Sequence, residues 1–140
     1  MSSLEPDRRQ AITPLFIVTA AIEVGAGLAL LVVPAVAIRL LFGSAVDAFP
    51  ATAIARLTGA ALLSLGAGCW WARDDERSAA SRALVKALLL YNAVVALVLV
   101  ASVAAPGPLL WAVVVVHGAM AMWCARSLPL GAAAREPSGR

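Results

Sequence analysis

The feature that most constrains this chain is an apolar stretch, ITPLFIVTAAIEVGAGLALLVVP, which runs from Ile12 to Pro34 and carries one charged residue, Glu23, at its midpoint. A helix of about 20 apolar residues crosses the hydrocarbon core of a bilayer. A carboxylic acid at the bilayer centre costs about 2.5–3.5 kcal/mol, and each Leu, Ile, Val or Phe returns up to about 0.3–0.6 kcal/mol. The stretch holds enough of these apolar residues to outweigh the acid, so it predicts a transmembrane helix.

On a helical wheel, the residues beside Glu23 are small, whereas Gly25 lies on the far side. Small side chains allow another helix backbone to come close within lipid. We therefore expect Glu23 to point into a helix bundle, flanked by Thr19, Ala20, Ala26 and Gly27.

Composition extends this interpretation to the whole chain, because 62% of its 140 residues are hydrophobic and only 14% are charged. Soluble domains carry about 25% charged residues. The predicted fold is all-α, a bundle of four transmembrane helices over residues 12–127, with a short interfacial segment, AVAIRLLFG, between the first and second helices. The predicted spans are about 12–34, 51–71, 81–104 and 108–126.

The second span is rich in small residues between Gly59 and Gly68, which is typical of tight helix contacts. We expect it to be the central helix of the bundle.

The distribution of Lys and Arg predicts the orientation. With four spans, nine of the eleven basic residues lie on the side of the termini and the middle loop, and only Arg39 and Arg56 lie on the other side. The positive-inside rule then places both termini in the cytoplasm, so residues 1–11 form a cytoplasmic tail, residues 128–140 form a disordered cytoplasmic tail, and the protein lies in the inner (plasma) membrane. A cleaved signal peptide ending at AVA, residues 35–37, is the competing interpretation of the first apolar run.

The other polar residues within the spans are candidates for a shared site. At about 1.5 Å per residue, Glu23 and His117 lie at similar depths, and Asn92 lies about a turn nearer the cytoplasm beside Tyr91. The side chain of Arg56 either reaches toward Glu23 or extends outward to water. The candidate residues for ligand or proton binding are Glu23, Arg56, Tyr91, Asn92 and His117.

Several kinds of chemistry find no support in the sequence. One His and one deep carboxylate are too few for a structural metal site, and the two cysteines, Cys69 and Cys124, have no metal-binding spacing. There is no Ser, His and Asp constellation, no phosphate-binding loop and no basic-aromatic pattern for nucleic acid. We therefore expect no cofactor, no metal and no nucleic-acid partner, and the absence of a catalytic set weighs against an enzyme.

Two families resemble this sequence, one over the first helix and the other over the whole chain. The AIEVGAGLALL segment, residues 21–31, resembles the first helix of small multidrug resistance transporters, in which one membrane-embedded Glu exchanges protons for cationic drugs. The whole chain is similar to small bacterial four-helix membrane proteins, a loose group that includes DoxX-like proteins. That similarity is carried by the Glu23-x-Gly25-x-Gly27-Leu28 start, by Pro34 before RLLFG, by RLTGAALLSLG from Arg56, by Tyr91-Asn92, and by Trp111 with His117. This second resemblance implies the architecture alone.

Three functions follow as hypotheses. The first is a non-enzymatic scaffold or accessory bundle, whose partners are the lipid bilayer and a second copy or another membrane protein. The second is a small proton-coupled transporter or hydrophobic-ligand-binding protein that uses Glu23. The third is a membrane-embedded enzyme with Glu23 and His117 as acid and base.

Overall fold

The computed structural model describes residues 12–43, 49–75, 78–101 and 106–128. These residues form five α-helices and no strand: α1 (Ile12–Val32), α2 (Pro34–Phe42), α3 (Phe49–Ala72), α4 (Ala79–Ala101) and α5 (Leu110–Ser127). Helices α1, α3, α4 and α5 are long and apolar enough to cross a membrane, so this is a multi-pass membrane protein and the predicted fold class is confirmed. The tails predicted at 1–11 and beyond Leu128 lie outside the described residues.

Proline and glycine set the helix boundaries near the end of α1. Pro34 occupies the first turn of α2, where its missing N–H breaks no helical hydrogen bond. Gly43 ends α2 with a left-handed φ of 72°, and its N–H donates to the carbonyl of Arg39 over 2.9 Å. Pro50 likewise fits the first turn of α3, which therefore starts two residues earlier than the prediction of 51. The short segment between the first two spans is thus a helix of nine residues.

We call one end of the bundle the basic end, because its described residues include Arg73, Arg82, Lys86 and Arg126. Here Thr13 Oγ1, near the start of α1, donates to the carbonyl of Arg73 just after α3 over 2.8 Å. The Arg73 guanidinium also lies 4.1 Å from the centre of a Trp70 ring. Ser78 caps α4, because its Oγ accepts the Ser81 N–H over 2.9 Å.

The four long helices form two close pairs, α1 with α3 and α4 with α5. Two glycines let the first pair come together: a Cβ on Gly27 would lie 2.7 Å from the Gly59 carbonyl oxygen, and a Cβ on Gly59 would lie 2.7 Å from the Gly27 carbonyl oxygen. Helix α3 has no comparable contact with α4 or α5, so the prediction that it is central is wrong. Its small residues lie on both faces, and one of these faces, including Ala61 and Ser64, is exposed.

The two pairs are joined at both ends. Toward the basic end, a buried apolar cluster draws on all four long helices: Ile12, Leu15, Phe16, Ala20, Cys69, Val85, Leu88, Met120 and Cys124. At the opposite end, which we call the distal end, the chain before α5 is bonded to the last turn of α2. The N–H groups of Gly107 and Leu109 donate to the carbonyls of Leu41 and Leu40, each over 3.0 Å.

Candidate functional site: a buried polar layer

Glu23 lies in the middle of α1 and is only 3% exposed, so the prediction that it points into the bundle is confirmed. Its neighbours Thr19, Ala20 and Gly27 are buried with it, as the helical wheel predicts, whereas Ala26 is exposed. The Tyr91 hydroxyl on α4 donates to Glu23 Oε2 over 3.2 Å. This hydrogen bond crosses from one helix pair to the other.

Asn92 and His117 form a second hydrogen-bonded group, within the pair of α4 and α5. Asn92 Nδ2 donates to the Leu88 carbonyl one turn earlier over 2.8 Å. Asn92 Oδ1 lies 2.8 Å from His117 Nδ1. Both side chains are buried, Asn92 at 2% exposure and His117 at 8%.

Tyr91 connects the two groups. Its ring meets the His117 imidazole edge to face, with ring centroids 5.7 Å apart and planes at 80°, while its hydroxyl reaches Glu23. In the described part of the chain, Glu23 and His117 share no direct hydrogen bond, and Tyr91 contacts both. An enzyme using them as an acid–base pair would need both to reach the same bound substrate, and Tyr91 is in contact with both.

Arg56 does not join this layer. Its side chain is exposed, and no ion pair links it to Glu23 among the described residues. The other described Lys and Arg residues are also exposed or half-buried. Within the part of the chain that the structure describes, the polar layer therefore consists of Glu23, Tyr91, Asn92 and His117 and includes no Lys or Arg side chain.

Thr19 is a further polar residue at this level that sequence reasoning treated only as a small neighbour. It lies one turn before Glu23 on the same face and is 1% exposed. Its Oγ1 is the one buried side-chain oxygen or nitrogen in the described residues that lacks a hydrogen-bond partner. A buried hydroxyl without a partner costs about 1–3 kcal/mol. The sequence signal for Thr19 is its spacing of four residues from Glu23, which places both side chains on the same face of the helix.

The sulfur and carboxylate groups do not assemble a metal site in the described residues, where no group of three or more His, Cys, Asp or Glu is close enough to hold an ion. Cys69 and Cys124 are free thiols buried in the apolar cluster. The chemistry of the layer is therefore that of one carboxyl, one phenol, one imidazole and one amide.

No protein-family model, no curated protein and no solved structure matches this chain. The resemblances to small multidrug resistance transporters and to DoxX-like proteins accordingly stay predictions.

Proposed function

We propose that this protein lies in the inner (plasma) membrane with both termini in the cytoplasm, and that Glu23 binds a proton which it exchanges for a small hydrophobic cation. The excess of Lys and Arg on the side of the termini supports the orientation. The observation that carries the binding function is the burial of Glu23 beside the neutral Tyr91 hydroxyl, with none of the described Lys or Arg side chains in an ion pair with it.

A charge in this position has to be balanced. An ionised side chain at the centre of a bilayer costs about 2.5–3.5 kcal/mol or more. Tyr91 donates one hydrogen bond but brings no positive charge. The carboxylate therefore favours any positively charged species that can reach it, whether that is a proton or a cation with enough apolar surface to enter the bundle.

The position of Glu23 between the helix pairs supports an exchangeable site. Helices α1 and α3 lie close together, and so do α4 and α5, whereas α1 and α4 meet mainly through side chains such as Glu23 and Tyr91. Side-chain contacts can rearrange without breaking a close backbone packing. A ligand can thus reach the layer between the pairs while each pair stays intact.

Proton release measures this function directly. Purified protein in weakly buffered detergent is mixed with tetraphenylphosphonium, a lipophilic cation, and a pH-sensitive dye records the protons released. We expect up to one proton per chain from the native protein and none from Glu23→Gln. Arg56→Gln is the matched control, since it also removes one charge from a long helix but from an exposed side chain. Equal release from Glu23→Gln and the native protein would refute the proposal.

A scaffold or accessory bundle is the second candidate, and the outer face of α3 favours it. Ala61 and Ser64 are exposed there, and a Cβ on Gly68 would meet no atom within 4 Å. Small residues are enriched where transmembrane helices associate. Native mass spectrometry from mild detergent tests this function: a second copy or a co-purifying membrane protein supports it, and a stable monomer with no bound protein contradicts it.

A further inference from the structure

The orientation of the Asn92 amide is determined by its own helix. Asn92 Nδ2 lies 2.8 Å from the Leu88 carbonyl oxygen. A backbone carbonyl only accepts hydrogen bonds, so the amide must turn its N–H toward Leu88. The other atom of the amide, Oδ1, then faces His117.

This orientation determines which nitrogen of His117 carries the proton. Asn92 Oδ1 lies 2.8 Å from His117 Nδ1, and an amide oxygen only accepts. Nδ1 must therefore donate, which in the neutral imidazole leaves Nε2 with a free lone pair. No hydrogen bond to Nε2 occurs among the described residues, where His117 is hydrogen-bonded to the Asn92 amide and in ring contact with Tyr91.

We propose that Asn92 is a positioning residue that holds neutral His117 with its proton on Nδ1, so that Nε2 is a second proton-accepting atom in the polar layer. The role of Nε2 as an acceptor rests on the proposed function, whereas the position of the proton on Nδ1 does not. When Nε2 takes up a proton, the Nδ1–H bond to Asn92 remains and becomes charge-assisted.

A second acceptor changes how the layer balances its charge. Among the described residues, the titratable side chains buried in the bundle with His117 are Glu23 from α1, Cys69 from α3 and Cys124 from α5, and Tyr91 from α4 lies against its ring. One proton in the layer gives zero net charge whether it resides on Glu23 or on His117. A proton that leaves Glu23 for Nε2 would form an imidazolium, and this would supply the positive charge that no described Lys or Arg brings to Glu23.

The composition of the chain makes this proposal directly measurable, because His117 is its only histidine. Protein carrying 15N-labelled histidine, purified without a polyhistidine tag, gives a single pair of imidazole nitrogen signals. We expect a hydrogen-bearing Nδ1 and a bare Nε2 at about pH 8, and protonation of Nε2 with Nδ1–H retained as the pH is lowered. A hydrogen-bearing Nε2 at high pH, or an Nε2 that stays bare throughout, would overturn the proposal.

Two variants test the role of Asn92. Asn92→Leu removes the acceptor at similar size, so the preference for Nδ1–H should be lost. Asn92→Asp keeps an acceptor oxygen and should retain it. An unchanged Nδ1–H signal in a folded Asn92→Leu protein would contradict the positioning role of Asn92. If Asn92→Leu does not fold, loss of the Nδ1–H signal in Asn92→Asp would contradict it.

Glu23→Gln separates this proposal from the proposed function. In that variant, Nδ1–H at His117 is expected to persist while proton release on addition of the cation disappears. If the cation releases no proton from the native protein but the tautomer is as expected, the proposed function fails and the positioning role of Asn92 stands. If the native tautomer is reversed while Glu23-dependent release is observed, only the further inference fails.

Discussion

Replacing Gly27 with alanine should destabilise the bundle through one well-defined contact. The added Cβ would lie 2.7 Å from the Gly59 carbonyl oxygen and 3.0 Å from two atoms of Leu63. Backbone atoms of α3 cannot rotate away as a flexible side chain can, so α1 and α3 must separate. Overpacking of this kind costs about 1–3 kcal/mol.

Gly25→Ala provides the matched control two residues earlier on the same helix, because a Cβ there would meet no atom within 4 Å. Each substitution gains about 0.5–1 kcal/mol from the higher helix propensity of alanine. That gain cancels in the comparison, so Gly27→Ala should unfold with a free energy about 1–3 kcal/mol below that of Gly25→Ala.

The assay is unfolding in mixed micelles by titration with a denaturing detergent, followed by the helical circular dichroism signal. Gly59→Ala should behave like Gly27→Ala, since its Cβ would lie 2.7 Å from the Gly27 carbonyl oxygen. The double variant should cost less than the sum of the two, because the first alanine already separates the helices. Equal stability of Gly27→Ala and Gly25→Ala would refute the close glycine contact.

Three further substitutions are predicted for the same assay. Thr19→Val removes a buried hydroxyl that has no partner among the described residues, so the unfolding free energy should rise by about 1–3 kcal/mol; a clear loss would show that the hydroxyl has a partner. Thr13→Val loses the 2.8 Å bond to the Arg73 carbonyl and should cost about 0.5–1.5 kcal/mol. The control is Thr58→Val, which removes an exposed hydroxyl that donates a hydrogen bond within its own helix. Equal losses of unfolding free energy in the two variants would contradict the prediction. Gly107→Ala would place a Cβ against the Leu40 carbonyl of α2, which accepts the Leu109 N–H, and should lower the unfolding free energy by about 1–3 kcal/mol. An unchanged unfolding free energy would argue against that contact.

The burial of Glu23 is predictable from the sequence because it depends on the residues of one helix alone. The cost of a charge in lipid and the small residues on one side of the wheel both place the carboxyl inward, and Thr19, Ala20 and Gly27 are buried beside it. The same reasoning does not locate α3, because its small residues lie on two faces. Gly59 and Gly66 pack on α1, whereas the outer face is exposed.

Contacts between helices are beyond this kind of reasoning, since depth along a helix leaves its rotation undetermined. Counting residues places Glu23 and His117 at similar depths, but it does not show that Tyr91 is in contact with both. Nor does it decide between the two orientations considered for the Arg56 side chain, which the structure shows to be exposed. Rotation is determined by the packing of all four helices together, through contacts such as Gly27 on Gly59.

The position of Glu23 explains how a proton could act on the whole bundle under the proposed function. Gly27, one turn away, fixes α1 against α3, so Glu23 moves with that pair. Its bond to Tyr91 reaches the other pair, between the apolar cluster toward the basic end and the α2 contacts at the distal end. A hydrogen bond to a charged group contributes about 1.5–3 kcal/mol and a neutral one about 0.5–1.5 kcal/mol. Loss or gain of the proton therefore changes the attraction between the pairs by roughly 1 kcal/mol, enough to shift a two-state equilibrium about fivefold.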